Sequence, residues 1–270
     1  MKDFSRNVGM QGEREGVMEP AGRHAMVTGG GRGIGAAVAR ALTAAGSAVT
    51  VLGRTEAPLA ALVAAGDAAG CVVGDVTDPT ALAVAVAAAE AARGPVDILI
   101  NNAGTAESAP FARTDRALWD RMLALNLTAV YEATRLVLPG MAARGWGRVV
   151  TIASTAGLTG YPYVSAYVAA KHGAVGLTRA LAREVAARGV TVNAVCPGYT
   201  DTEMLAASVA TIVARTGRSV EAARAALTAA NPQGRLVRPE EVAATVAFLC
   251  GDGAGAITGQ AIAVAGGEVE

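Results

Sequence analysis

A tyrosine and a lysine stand four residues apart in Ser165-Ala166-Tyr167-Val168-Ala169-Ala170-Lys171, downstream of Ser154 and of the turn Thr28-Gly29-Gly30-Gly31-Arg32-Gly33-Ile34-Gly35. On a helix, positions i and i+4 share a face, so the Lys171 ammonium would lie near the Tyr167 phenol and favour its ionised form. A free phenol titrates near about 10, and a fixed positive charge is what would bring it toward acid and base work at neutral pH. The turn reads Thr-Gly-x-x-x-Gly-x-Gly after an apolar run and before a helical one. Glycines there permit a tight turn and let backbone approach a pyrophosphate, whose charge is attracted by the free N–H groups and positive end of the helix. A nucleotide site and a proton relay in one chain imply hydride transfer.

Such residues need a scaffold, and the chain supplies the pattern of one. From His24 onward short apolar runs alternate with longer helical stretches, the pattern of a parallel sheet covered by helices on both faces. Strands are expected at Ala25–Thr28, Ala48–Leu52, Gly70–Val73, Asp97–Asn101, Arg148–Ile152, Thr191–Val195 and Ala261–Val264. Asp78 before Pro79 reads as a helix cap with a first-turn proline, and Arg238-Pro239-Glu240-Glu241 opens another helix with acids in its first turn. The fold class is therefore α/β, a single Rossmann-type doubly wound parallel sheet of seven strands. Residues 22–270 form the oxidoreductase domain, with a substrate lid at 200–230, and residues 1–21 read as a loose tail; Met18 is an alternative start.

The 270 residues carry 23 Lys and Arg against 23 Asp and Glu, so no basic excess supports capture of nucleic acid or of an anionic membrane. No apolar run reaches the length of about 18 residues that a membrane span needs. Cys71, Cys196 and Cys250 are widely spaced and match no metal-ligand or disulfide pattern, which fits buried thiols in a reducing cytoplasm. No metal site is expected. His24, at a strand start, and His172, on another side of the helix from Lys171, stay outside the chemistry.

The cofactor is expected to be NADP(H), with NAD(H) as the other dinucleotide the turn could take. An acid that binds the adenosine ribose hydroxyls of NAD is expected about 20 residues beyond the glycine turn, at the end of the second strand. Gly53 and Arg54 stand there instead. Glycine leaves room for a 2'-phosphate, and Arg54 can pair with it, helped by Arg32.

With these residues in view, the chain resembles the short-chain dehydrogenase/reductase family from Arg23 to Gly267. The resemblance is carried by Thr28 to Gly35, Gly74-Asp75-Val76, Asn101-Asn102-Ala103-Gly104, Asn126 in Leu125-Asn126-Leu127, Ser154, Tyr167 with Lys171, and Pro197-Gly198 followed by Thr202. It implies a catalytic group of Asn126, Ser154, Tyr167 and Lys171. Ser154 would bind the substrate oxygen, Tyr167 would exchange a proton with it, Lys171 would lower the tyrosine pKa and hold the nicotinamide ribose, and Asn126 would hold a water linking Lys171 to solvent. The implied cofactor contacts are Gly29, Arg32, Gly33, Ile34, Gly35, Arg54, Asp75, Val76, Asn102, Ala103, Gly104, Tyr167, Lys171, Pro197, Gly198, Thr200 and Thr202. Asp75 and Val76 would border the adenine, and Asn101 with the Asn-Asn-Ala-Gly turn would shape the floor of the nucleotide cleft.

On the substrate side, Gly157-Leu158-Thr159-Gly160-Tyr161-Pro162-Tyr163 lies between Ser154 and Tyr167 and should pass close to the reacting carbonyl. Its aromatic and apolar residues favour a non-sugar substrate. Thr191 to Gly198 and the long lid resemble family members that reduce 3-oxoacyl thioesters or polyketide ketones. The expected activity is therefore NADP(H)-dependent reduction of a 3-oxoacyl thioester by a cytoplasmic homo-oligomer, a tetramer. The rivals are an NAD-dependent 3-hydroxyacyl or small secondary-alcohol dehydrogenase, and a non-catalytic nucleotide sensor or scaffold, against which the complete group of four argues.

Overall fold

Two apolar residues flanking a third that points the other way recur through the strands, and that alternation builds a core on each face of one sheet. A computed structural model describes residues 20–269. The tail expected at 1–21 lies outside the described residues except for Pro20, which is buried and accepts a hydrogen bond from Ser47, and Ala21. Seven strands form the sheet: β1 (His24–Thr28), β2 (Ala48–Gly53), β3 (Gly70–Val73), β4 (Ile98–Asn101), β5 (Gly147–Ile152), β6 (Val190–Pro197) and β7 (Ala261–Val264). They run in the order β3-β2-β1-β4-β5-β6-β7, and every pairing is parallel. All seven expected strands are present, with ends shifted by one or two residues; Asp97 lies just outside β4.

Ala25, Val27, Ile98, Ile100, Val150 and Ile152 point to one face. There they meet α1 (Gly33–Ala44), α2 (Glu56–Ala64) and α9 (Pro239–Cys250), which completes the helix series. Met26, Leu99 and Val149 point to the other face, against α3 (Pro79–Arg93), α5 (Ala129–Arg144) and α6 (Ser165–Val185). Burying both faces of the sheet explains why its strands read as continuous apolar runs rather than alternating ones. Between α3 and α5 lies α4 (Arg116–Leu123), and α7 (Glu203–Thr216) and α8 (Val220–Thr228) follow β6.

Helix punctuation follows from the sequence. Asp78 accepts from the N–H groups of Thr80 and Ala81 at the start of α3, and Glu241 reaches back to the Arg238 N–H at the start of α9. One break in helix geometry was not foreseen. Ala124–Thr128, joining α4 to α5, is a π-helical segment that carries Asn126 at its centre. Such insertions redirect a side chain out of the regular helical ladder and recur at functional sites.

The strand order reverses between β1 and β4, so the loops leaving those two strands part and open a crevice at their carboxyl ends. Both the glycine turn and the Asn101–Gly104 turn begin there.

Candidate active site

The two loops at the switch point are stapled together. Thr28 Oγ1 accepts from the Asn102 and Ala103 N–H groups at 3.0 and 3.1 Å, and Asn102 Nδ2 donates to the carbonyls of Thr28 and Gly29, both at 3.0 Å. Asn102 thus fixes the glycine turn from across the crevice. The turn leaves no room for side chains at its glycines. Gly29 and Gly33 have φ of +62° and +49°, a Cβ on Gly29 would come within 2.9 Å of Ala103 Cα, and one on Gly35 would strike the Gly29 carbonyl. Helix α1 begins with no side-chain cap, leaving its first N–H groups directed at the crevice. These features fit the pyrophosphate of a dinucleotide.

At the β5 and α6 side of the crevice, Ser154, Tyr167 and Lys171 converge. Ser154 follows β5 and accepts from the Ala156 N–H at 3.1 Å, and its side chain lies near enough to the Tyr167 phenol to favour the ionised form. Tyr167 and Lys171 lie on one face of α6, with Lys171 Nζ 5.6 Å from the tyrosine ring centre. Asn126 is fully buried; its Nδ2 donates to the carbonyls of Thr105 and Met122, and its Oδ1 accepts from the Thr105 N–H. Gly104 separates Asn126 from Lys171, since a Cβ there would lie 2.9 Å from Asn126 Oδ1 and 3.6 Å from Lys171 Nζ. The four expected catalytic residues therefore surround one end of the crevice.

Their electrostatics differ from the sequence expectation in one respect. Lys171 is expected to lower the tyrosine pKa, yet burial holds the Tyr167 phenol above its ordinary value, with the Ser154 side chain only partly opposing it. Lys171 is itself buried and donates to the Ile152 carbonyl at 2.8 Å; burial brings its pKa down to about 8. For each group the cost of taking its charged form out of water exceeds the effect of its neighbours. Tyr167 in this state is a neutral proton donor.

The remaining expected contacts divide. Pro197 ends β6, Gly198 packs beside Ala265, Thr200 Oγ1 donates to the Gly198 carbonyl, and Thr202 caps α7 with its methyl 3.1 Å from the position a Gly33 Cβ would take. Thr202 thus lies against the glycine turn, and the other three follow at the carboxyl end of β6. Asp75 accepts from the Thr77 N–H and hydroxyl, and these bonds hold its carboxyl below the ordinary range, with Arg54 adding to the effect. Arg54 is exposed at the end of β2, and Val76 is buried in the core with Leu52 and Leu82. Ile34 packs on the opposite core cluster. Arg32 pairs with Glu203 of α7 at 3.1 Å, so the glycine turn and the lid are linked by an exposed ion pair. Asn101 departs from expectation: it is buried and donates to the Thr134 hydroxyl of α5, which places it in the helix packing rather than on the cleft floor.

The segment expected to form the lid is a helical pair. Leu205 and Val209 of α7 pack on Ala223 of α8, with Ile212, Val213 and Leu227 around them, and Arg224 holds Asp201 at 3.0 Å. His24 bonds the Gly94 carbonyl and the Thr50 hydroxyl at the end of the sheet remote from the crevice, consistent with a structural role. Sequence reasoning missed Thr28 and Thr105, whose partners are distant in the chain, and Glu268, which the turn after β7 brings beside Tyr161. The described residues contain no group of acids, histidines and cysteines placed to hold a metal, and no helix among them is long and apolar enough to cross a membrane.

Comparison with known proteins agrees with this geometry. Residues 23–213 match the family model described as short chain dehydrogenase. Nodulation protein G of Azospirillum brasilense is 41% identical over 90% of this chain and 96% of its own length. Acetoacetyl-CoA reductase of Rhizobium meliloti is 42% identical over 91% of this chain and 98% of its own. Among solved structures, a variant of actinorhodin polyketide ketoreductase crystallised with NADPH superposes with a TM-score of 0.87 at 41% identity, covering 91% of this chain and 97% of the other. With its doubly wound sheet, its glycine turn at the switch point and the Ser154, Tyr167 and Lys171 cluster beside it, the chain belongs to the short-chain dehydrogenase family.

Proposed function

We propose that this protein is an NADP(H)-dependent ketone reductase whose substrate is a 3-oxoacyl thioester. The observation that carries the reading is the convergence of Ser154, Tyr167 and Lys171 beside a glycine turn shaped for a diphosphate. Similarity to an acetoacetyl-CoA reductase and to a polyketide ketoreductase solved with NADPH supports both the substrate class and the cofactor.

When bound, the nicotinamide supplies a hydride to the carbonyl carbon. Ser154 donates a hydrogen bond to the carbonyl oxygen and orients it. Tyr167, a neutral phenol whose pKa burial holds above its ordinary value, donates the proton that the oxygen requires as it becomes an alkoxide. Donors aimed at the developing charge bind the transition state better than the ground state, which is where the acceleration arises. Lys171 would hold the nicotinamide ribose and return a proton toward Tyr167, and Asn126 would hold a water linking Lys171 to solvent. The Gly29, Gly33 and Gly35 backbone and the N-terminus of α1 would hold the diphosphate, with Gly198, Thr200 and Thr202 as further contacts. Asn102, Ala103 and Gly104 would border the ribose, while Asp75 and the backbone at Val76, whose side chain packs into the core, would flank the adenine.

The test is steady-state kinetics of the purified protein on a ketone panel, with 3-oxoacyl thioesters beside cyclic and aliphatic ketones, using NADPH and NADH. Reduction of the thioester with higher kcat/KM than the simple ketones is expected; no turnover anywhere on the panel would favour a non-catalytic nucleotide-binding role.

The same reading makes the protein a cytoplasmic homotetramer. Phe248 on α9 and Tyr131 on α5 are exposed on the outer faces of helices, and exposed large aromatics there suit helix-to-helix contact between copies. Light scattering at micromolar concentration should give four times the chain mass, and a monomer would refute the assignment.

A further inference from the structure

A second polar cluster walls the catalytic end of the crevice. The Tyr161 phenol donates to Glu268 Oε1 at 2.5 Å and lies 2.8 Å from the Thr155 hydroxyl. The Tyr199 ring meets Tyr161 edge to face, centroids 6.4 Å apart. Glu268 Oε2 occupies space that a side chain on Gly198 would deny it, since a Cβ there would come within 2.7 Å. Thr155 is the neighbour of Ser154, and Tyr199 lies close enough to Tyr167 to help raise its pKa. Glu268 is thus one side chain removed from the reacting groups.

Its placement is built into the backbone. After β7 the chain turns through Gly266 and Gly267, with φ of +63° and +90°, seated against Asn231 and Pro232. That conformation is costly for any residue with a side chain, and it delivers Glu268 to the crevice. The carboxylate is half-buried and accepts from a phenol, but no Lys, Arg or His forms an ion pair with it among the described residues. After burial, which acts most strongly, its charge adds to the upward shift of both Tyr161 and Tyr199. The wall beside Ser154 is therefore electronegative, and a second anion placed against it would be repelled in partly desolvated surroundings.

We propose that Glu268 is a specificity-determining residue, which excludes substrates bearing a free carboxylate and selects 3-oxoacyl groups whose carboxyl is masked as a thioester or ester. The inference rests on the ketone-reduction reading and narrows it. Acetoacetate and methyl acetoacetate offer the same ketone with and without the charge, and their kcat/KM values with NADPH provide the test. The wild-type protein should prefer the ester. Glu268→Gln keeps size and hydrogen bonding but removes the charge, and should raise the acetoacetate-to-ester ratio about tenfold, equivalent to about 1.4 kcal/mol. Tyr161→Phe removes the phenol but leaves the carboxylate, and should retain the preference for the ester. An unchanged ratio in Glu268→Gln, or an equal shift in Tyr161→Phe, would overturn the proposal while leaving ketone reduction intact. Failure of the wild-type protein to reduce either compound or any other ketone would instead remove the reading on which it rests.

Discussion

Tyr167→Phe is expected to lower kcat for ketone reduction about 10³-fold, within the range by which a positioned general acid accelerates proton transfer. The ring would still fill its place on α6 beside Lys171, so NADPH binding, measured by fluorescence titration, should stay close to that of the wild-type protein. A loss confined to kcat marks a group that acts in the transition state, and near-normal turnover would refute the role of Tyr167. The pH dependence follows from the direction of the shifts. Burial raises the pKa of the phenol, so the protonated form needed for reduction persists through neutrality and above. Oxidation of the alcohol needs the phenolate and should accelerate as pH rises. Lys171, brought down to about 8, loses its ammonium charge above that pH, and with it the nearby cation that would steady a phenolate. Rates in the two directions should therefore diverge between neutral and alkaline pH.

The parts of this site legible in the sequence are those determined by local chemistry. Glycines at 29, 33 and 35 announce their turn because few other residues tolerate its φ values and close approaches, and the i, i+4 spacing of Tyr167 and Lys171 is a property of any helix. The strands were legible because burial on both faces demands unbroken apolar runs. What escaped depends on tertiary neighbours. Whether Asn101 faces the cleft or Thr134 is decided by the side of β4 on which it falls and by what α5 presents there. The tyrosine pKa depends on burial, which spacing alone does not report. The π-helical segment at Asn126 and the union of Glu268 with Tyr161 across 107 positions carry no periodic signal at all.

The exchange of cofactor preference is expected to be as large as the loss at Tyr167. Gly53 ends β2 where a carboxylate would accept hydrogen bonds from the adenosine ribose hydroxyls, and the atoms nearest to an added Cβ belong to Leu59, at 3.5 Å and beyond, an ordinary contact distance. A side chain therefore fits there without displacing the backbone. Arg54 is exposed beside Asp75 and free to swing toward a 2'-phosphate, whereas Arg32 must first leave Glu203. That pair is exposed on both sides, and such pairs are worth about 0–1 kcal/mol, so a phosphate dianion should win Arg32 as well. In the wild-type protein kcat/KM should favour NADPH. Gly53→Asp combined with Arg54→Ala installs a hydroxyl acceptor, repels the phosphate and removes one of its two cations. Losing one charge-assisted contact and gaining a repulsion should together shift the NADPH-to-NADH ratio about 10²–10³-fold toward NADH, at roughly 1.4 kcal/mol for each tenfold step. Steady-state kinetics of both proteins with each cofactor on one ketone give the ratio directly. A wild-type preference for NADH would show that Arg54 is only a solvated cation at the end of β2.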